Sequence, residues 1–150
     1  MIGRAAAILF CTTAMLALAG CSFLGPSRGP DGQFSEPTQI NSADLLTGDC
    51  FTFDEGSNLA TSTVVPCDVE HEFRVIGQGT LDDAAIAAAG DKQIAINAAC
   101  DEPFADFMET VAEGVRPDQQ FISATIEEDG EQLTEYSCLA TDAPIVSAEG

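Results

Sequence analysis

Tryptophan is absent from the 150 residues, and tyrosine, histidine and lysine occur once each. Five Lys and Arg stand against 25 Asp and Glu, so the formal charge is −20. A chain this acidic is repelled by phosphate backbones, which excludes DNA and RNA as direct ligands. It also offers no basic patch to anionic lipid. One histidine leaves little for acid–base or nucleophilic catalysis. No Gly-rich phosphate loop follows a strand pattern and no nucleophile elbow occurs. An enzyme is therefore not expected, nor a cofactor. Aromatics make up 7% of the chain and hydrophobic residues 45%, enough for one domain with a modest core.

What is present begins at the N-terminus. Met1-Ile2-Gly3-Arg4 precedes an apolar run from Ala5 to Ala19, broken only by Cys11, Thr12 and Thr13. One positive charge followed by such a run has the form of a secretory signal. It is short of the roughly 20 residues that cross a bilayer. Leu18-Ala19-Gly20-Cys21 resembles the bacterial lipobox, in which the cysteine thiol is acylated and the chain is cut just before it. Residues 1–20 are thus expected to be a lipoprotein signal peptide and Cys21 the lipidation site. Two or more acyl chains of the palmitate type suffice for stable anchoring. The expected location is the extracytoplasmic face of the cell membrane.

Residues 21–43 are rich in Gly, Pro and Ser and read as a flexible tether, which as a coil spans on the order of 25 Å. Residues 142–150, with Pro144 and no apolar period, read as a loose tail. The pattern between them, 44–141, is that of a domain. Gly48 to Phe53 alternates as a strand, Asp54 to Asn58 is turn-rich, and Thr61 to Cys67 forms a β-rich return. Glu72 to Leu81 reads as a further strand. Asp91 can cap a helix on which Ile96, Cys100, Phe104, Phe107 and Val111 share one face, with Pro103 expected to kink or split it near Cys100. Phe121 to Glu127 and Leu133 to Leu139 read as closing strands, turned at Glu128-Asp129-Gly130. The expected fold is α+β, a small antiparallel sheet with one main helix packed on it.

With Cys11 in the signal and Cys21 acylated, four cysteines remain: Cys50, Cys67, Cys100 and Cys138. An even number in a small exported domain implies two disulfides, with three possible connectivities. The preferred one joins Cys50 to Cys67 across the first hairpin and Cys100 to Cys138 from helix to last strand. A redox pair would need Cys-x-x-Cys, and a zinc site closely spaced pairs; neither spacing occurs. His71 would lie about 13 Å from Cys67 on an extended strand, too far to pair. The acidic pairs Asp54-Glu55, Asp82-Asp83, Asp101-Glu102 and Glu127-Glu128 read as solvated faces, and none has the alternating ligand pattern of a calcium loop. No metal site is expected.

Leu46-Thr47-Gly48-Asp49-Cys50-Phe51, then Val64-Val65-Pro66-Cys67-Asp68-Val69-Glu70-His71-Glu72, then Cys100 and Cys138, resemble the septum formation domain family. That family occurs largely in lipoproteins and single-span membrane proteins of high-GC Gram-positive bacteria. The chain departs from the family pattern in carrying Arg74 where an acid is common, and in lacking a Trp before the last cysteine. The resemblance implies a disulfide-stapled extracytoplasmic module without catalytic activity and with a link to cell division. It also marks Asp49, His71 and Glu72 as a recognition surface.

The expected function is that of a membrane-anchored, non-enzymatic binding module of the cell envelope. Its partner would be an envelope protein or a small ligand. The alternative is an ion- or ligand-sensing envelope module in which the acidic loops bind a cation or a basic peptide.

Overall fold

The computed structural model describes residues 27–56 and 59–141. Six strands form one antiparallel sheet: β1 (Thr38–Asn41), β2 (Cys50–Phe53), β3 (Thr61–Val65), β4 (Phe73–Asp82), β5 (Gln119–Glu128) and β6 (Glu131–Thr141). Their spatial order is β1-β3-β2-β4-β6-β5. Two helices, α1 (Asp83–Ala89) and α2 (Lys92–Met108), follow β4. The α+β architecture is as expected, with one more strand and one more helix than the sequence pattern indicated. The proposed signal peptide, Cys21 and the tail 142–150 lie outside the described residues.

The sheet separates two apolar layers because consecutive strand residues point to opposite faces. Val75, Leu139 and Ile122 join Phe34, Leu45, Phe51 and Val64 on one side. Their chain neighbours Ile76, Cys138 and Phe121 pack with Ile96 and Cys100 of α2 on the other. In the first layer, the rings of Phe51, Phe53 and Phe73 stack and meet edge to face at centroid distances of 5.1–5.6 Å.

The helices cover one face only, and part of the other is closed by the stretch expected to be a tether. From residue 28 onward that expectation does not hold. Phe34 is buried in the first layer, and β1 pairs with β3 from Thr38↔Val64 to Asn41↔Thr61. A one-turn helix, Ser42–Asp44, is then fixed by a buried hydrogen bond between the Ser42 and Ser62 hydroxyls (2.8 Å). The Gly and Pro content of the segment describes its turns, whereas its few apolar side chains supply the missing lid of the core.

Helix α1 arises from an alanine-rich run capped by Asp82, whose carboxylate accepts from the Ala85 amide, and is ended by Gly90 at φ 85°. Asp91 caps α2 as expected, accepting from the amides of Gln93 and Ile94. Pro103 does not split α2. Its missing N–H removes one helical hydrogen bond, but its ring packs against the sheet at Gly77. A Cβ at Gly77 would stand 2.9 Å from both Cβ and Cγ of Pro103. Val111 lies beyond the helix, because the Thr110 amide and hydroxyl both donate to the Phe107 carbonyl and close its last turn.

Both preferred disulfides are present. Cys50–Cys67, with Cα atoms 5.2 Å apart, closes the β2–β3 hairpin, and Cys100–Cys138, at 5.4 Å, ties α2 to β6. The β5–β6 turn falls at Asp129 and Gly130, with φ of 52° and 82°, as a two-residue hairpin requires.

Candidate recognition site

Asp49, His71 and Glu72 were the residues expected to form a recognition surface, and the structure does not gather them into one. Asp49 has no exposed surface. Its carboxylate accepts two hydrogen bonds from the Arg28 guanidinium, at 2.5 and 2.7 Å, and one from the Leu46 amide at 2.7 Å. The Asp49 amide donates back to the Leu46 carbonyl, closing a turn that needs Gly48 at φ 98°. Gly-Asp-Cys is thus a turn and an internal anchor, and Asp49 is removed from the recognition surface. Arg28 is held in turn by the carbonyls of Gly32 and Asp44, and its guanidinium stacks 4.5 Å from the Phe34 ring centroid.

His71 lies half-buried in the connection between β3 and β4, where the Val69 amide donates to the Pro66 carbonyl. Its Nδ1 is 2.6 Å from the Val69 carbonyl, so Nδ1 carries the proton in this contact. Glu72 is exposed, and its amide donates to Phe51 on β2. Asp49 is bonded instead through its carbonyl to the Val75 amide. The antiparallel register therefore places Asp49 and Glu72 about three positions apart, roughly 10 Å along the strands. Arg74, at the position where an acid is common in the family pattern, lies with its guanidinium 6.0 Å from the Phe107 ring.

A different site is present on the face away from the helices. A groove of about 800 Å³ has β4, β6 and β5 as its floor, and residues 41–43, Leu45, Leu46, Leu59 and Ala60 as its inner wall. Leu46 and Leu59, half or more exposed, flank it. Its wall is pinned by Gln78 of β4, whose amide nitrogen donates to the Leu45 carbonyl and the Ser137 hydroxyl (both 2.9 Å). The Gln78 amide oxygen accepts from the Thr47 amide at 2.9 Å. Among the described residues lining the groove, Glu135 is the sole carboxylate, and no histidine, cysteine, lysine or arginine joins it. Such a surface is suited to holding an apolar or extended ligand. The one signal in sequence was the pair of leucines in turn regions, which is too common a feature to identify a groove.

The acidic loops stay dispersed. Among the described residues no three His, Cys, Asp or Glu side chains are grouped to hold a metal ion, and no helix is long and apolar enough to cross a membrane. Asp54 titrates below the usual 3.8. The Thr63 hydroxyl (2.7 Å) is the first cause, followed by Thr61; burial opposes them, and Gln39 adds a smaller lowering effect. This carboxylate fastens β1 to β3.

A family model described as septum formation matches residues 31–131. The match starts ahead of β1, within the stretch that closes the core, and ends at the first residue of β6. No curated protein and no solved structure matches the chain.

Proposed function

The chain belongs to the septum formation family, and from that premise we propose that it is a lipid-anchored, non-enzymatic binding module on the outer face of the cell membrane. Membership connects the chain with a cell-division-related role at the envelope. Two disulfides suit the oxidising space outside the membrane. The lipobox-like Leu18-Ala19-Gly20-Cys21 supports acylation at Cys21. The observation that carries the binding reading is the open groove on the sheet, apolar at its flanks and with one carboxylate.

The anchor would stand close to the domain. Arg28 is already locked onto Asp49, so the chain from Cys21 to Arg28 reaches at most about 25 Å when fully extended. The groove and the acidic domain would then work near the membrane surface rather than far from it.

The intact mass of the protein from the membrane fraction tests the anchor. The expected species begins at Cys21 with diacylglycerol and an N-acyl chain, and Cys21→Ala abolishes it. A membrane-fraction protein that retains Met1 and carries no lipid would remove the anchored reading.

A further inference from the structure

We propose that the outer edge of β5 accepts an extended, lysine- or arginine-bearing segment of a partner protein as a seventh strand, with alternate side chains of that segment facing the groove. The inference rests on the reading of the chain as a binding module and names the chemistry of what it binds.

The edge itself is the first observation. β5 is last in the sheet order and pairs with β6 at every position from Gln119↔Ala140 to Glu128↔Glu131, without a bulge. Antiparallel geometry turns alternate residues outward, leaving about five N–H and five C=O groups on the far side. Among the described residues no backbone hydrogen bond outside the ladder involves 119–128. Natural edges are usually blunted by shortness, a bulge, proline or an inward-facing charge. The opposite edge, β1, has four residues. β5 has ten, and from Phe121 to Ile126 it contains neither a charge nor a proline. Ser123, Ala124 and Thr125 are all exposed.

The groove is the second observation. Ile122 and Ala124 of β5 lie on its outer side, and no lining residue stands beyond them. Every second side chain of an added strand would face the same side as Ile122 and Ala124, with Leu59 and Leu46 across the floor.

Charge selects the occupant. No Lys or Arg occurs from residue 117 to residue 150, while Glu127, Glu128, Asp129 and Glu131 surround the hairpin end of the edge and Glu135 faces Ala124 across the ladder. The same region of a second copy has no Lys or Arg to set against these acids, and an acidic segment would be repelled by them. A basic segment is complementary in charge and supplies the backbone groups that the edge lacks.

The test uses the folded, disulfide-bonded protein and a blocked eight-residue peptide of alternating Lys and Val, with its Glu–Val counterpart as control. Binding is read by titration and by amide hydrogen exchange. The expected result is protection confined to 120–127, with affinity about tenfold or more above the control and falling with added salt. Ala124→Lys, on an exposed side chain, is expected to reduce binding about tenfold or more by blunting the edge with a like charge. Thr125→Lys repeats the test at the next position. Glu127→Gln with Glu128→Gln is expected to weaken binding several-fold. Protection elsewhere, equal binding of both peptides, no binding, or protection of β5 by self-association would each overturn the proposal. A partner cross-linked in cells equally well by the Ala124→Lys protein would remove the edge and leave the binding-module reading standing. Absence of a specific partner for either form would remove that reading as well.

Discussion

Replacing Arg28 by alanine is the sharpest perturbation of the fold, because it strands a buried carboxylate. The Arg28 side chain is 19% exposed and Asp49 is fully enclosed. Removing one partner of a buried ion pair costs about 3–5 kcal/mol. Asp49 keeps the Leu46 amide, and water can enter where Arg28 reaches the surface, so the expected loss falls just below that range, about 2–3 kcal/mol. For a folded region of about 110 residues this lowers the melting midpoint by roughly 10 °C. Urea denaturation of the wild type, Arg28→Ala, Asp49→Ala and the double variant forms the cycle. The double variant is expected to lose clearly less than the sum of the singles, with a coupling of about 1–2 kcal/mol. An Arg28→Ala protein within about 0.5 kcal/mol of wild type would refute the Arg28–Asp49 anchor.

Other features make separate predictions. In the chain-entropy picture, opening Cys50–Cys67 or Cys100–Cys138, with sequence separations of 17 and 38, costs roughly 3 and 4 kcal/mol. Denaturation of the Cys→Ala pairs should show the Cys100–Cys138 variant to be the weaker. Gly77→Ala drives a methyl group into the Pro103 ring and is expected to lower stability by about 1–3 kcal/mol, whereas Gly56→Ala has open space and should show only the cost of its positive φ. Asp54 has a depressed folded-state pKa, so its contribution is present above the unfolded value of 3.8 and is lost as pH falls through the lower folded value. Asp54→Asn should therefore flatten the stability profile of the wild type at the acid end, below about pH 4, and leave the slope above that unchanged.

The strands β2 to β6 were legible because their apolar residues alternate, and α2 because Asp91 starts a spacing of three and four that runs through Cys100. The disulfides followed from the same elements, since hairpin and helix each offered one cysteine at a matching place. What sequence reading missed depends on distant contacts. Phe34 and Ile40 are too sparse to give a period, and β1 becomes a strand only because β3 is there to pair with it. Asp49 was marked as a recognition residue by family pattern, and its true partner is 21 residues away in a stretch that resembles a linker. Pro103 read as a helix breaker because the space at Gly77 lies on another element. His71 and Glu72 were singled out by family pattern, which records recurrence without saying whether a residue touches a partner or its own turn. The groove combines several separated stretches of chain, so no local motif announces it.

The central claim is that this domain binds an envelope partner through the open face of its sheet while held at the membrane. Site-specific photo-crosslinking in intact cells tests it most directly, with the probe at Ala124 beside the groove and, in a parallel strain, at exposed Ala98 on α2. The account predicts that one envelope protein is captured from position 124, is absent from position 98, and is lost when Cys21→Ala releases the anchor. The same capture from both positions, or none from position 124, would contradict it.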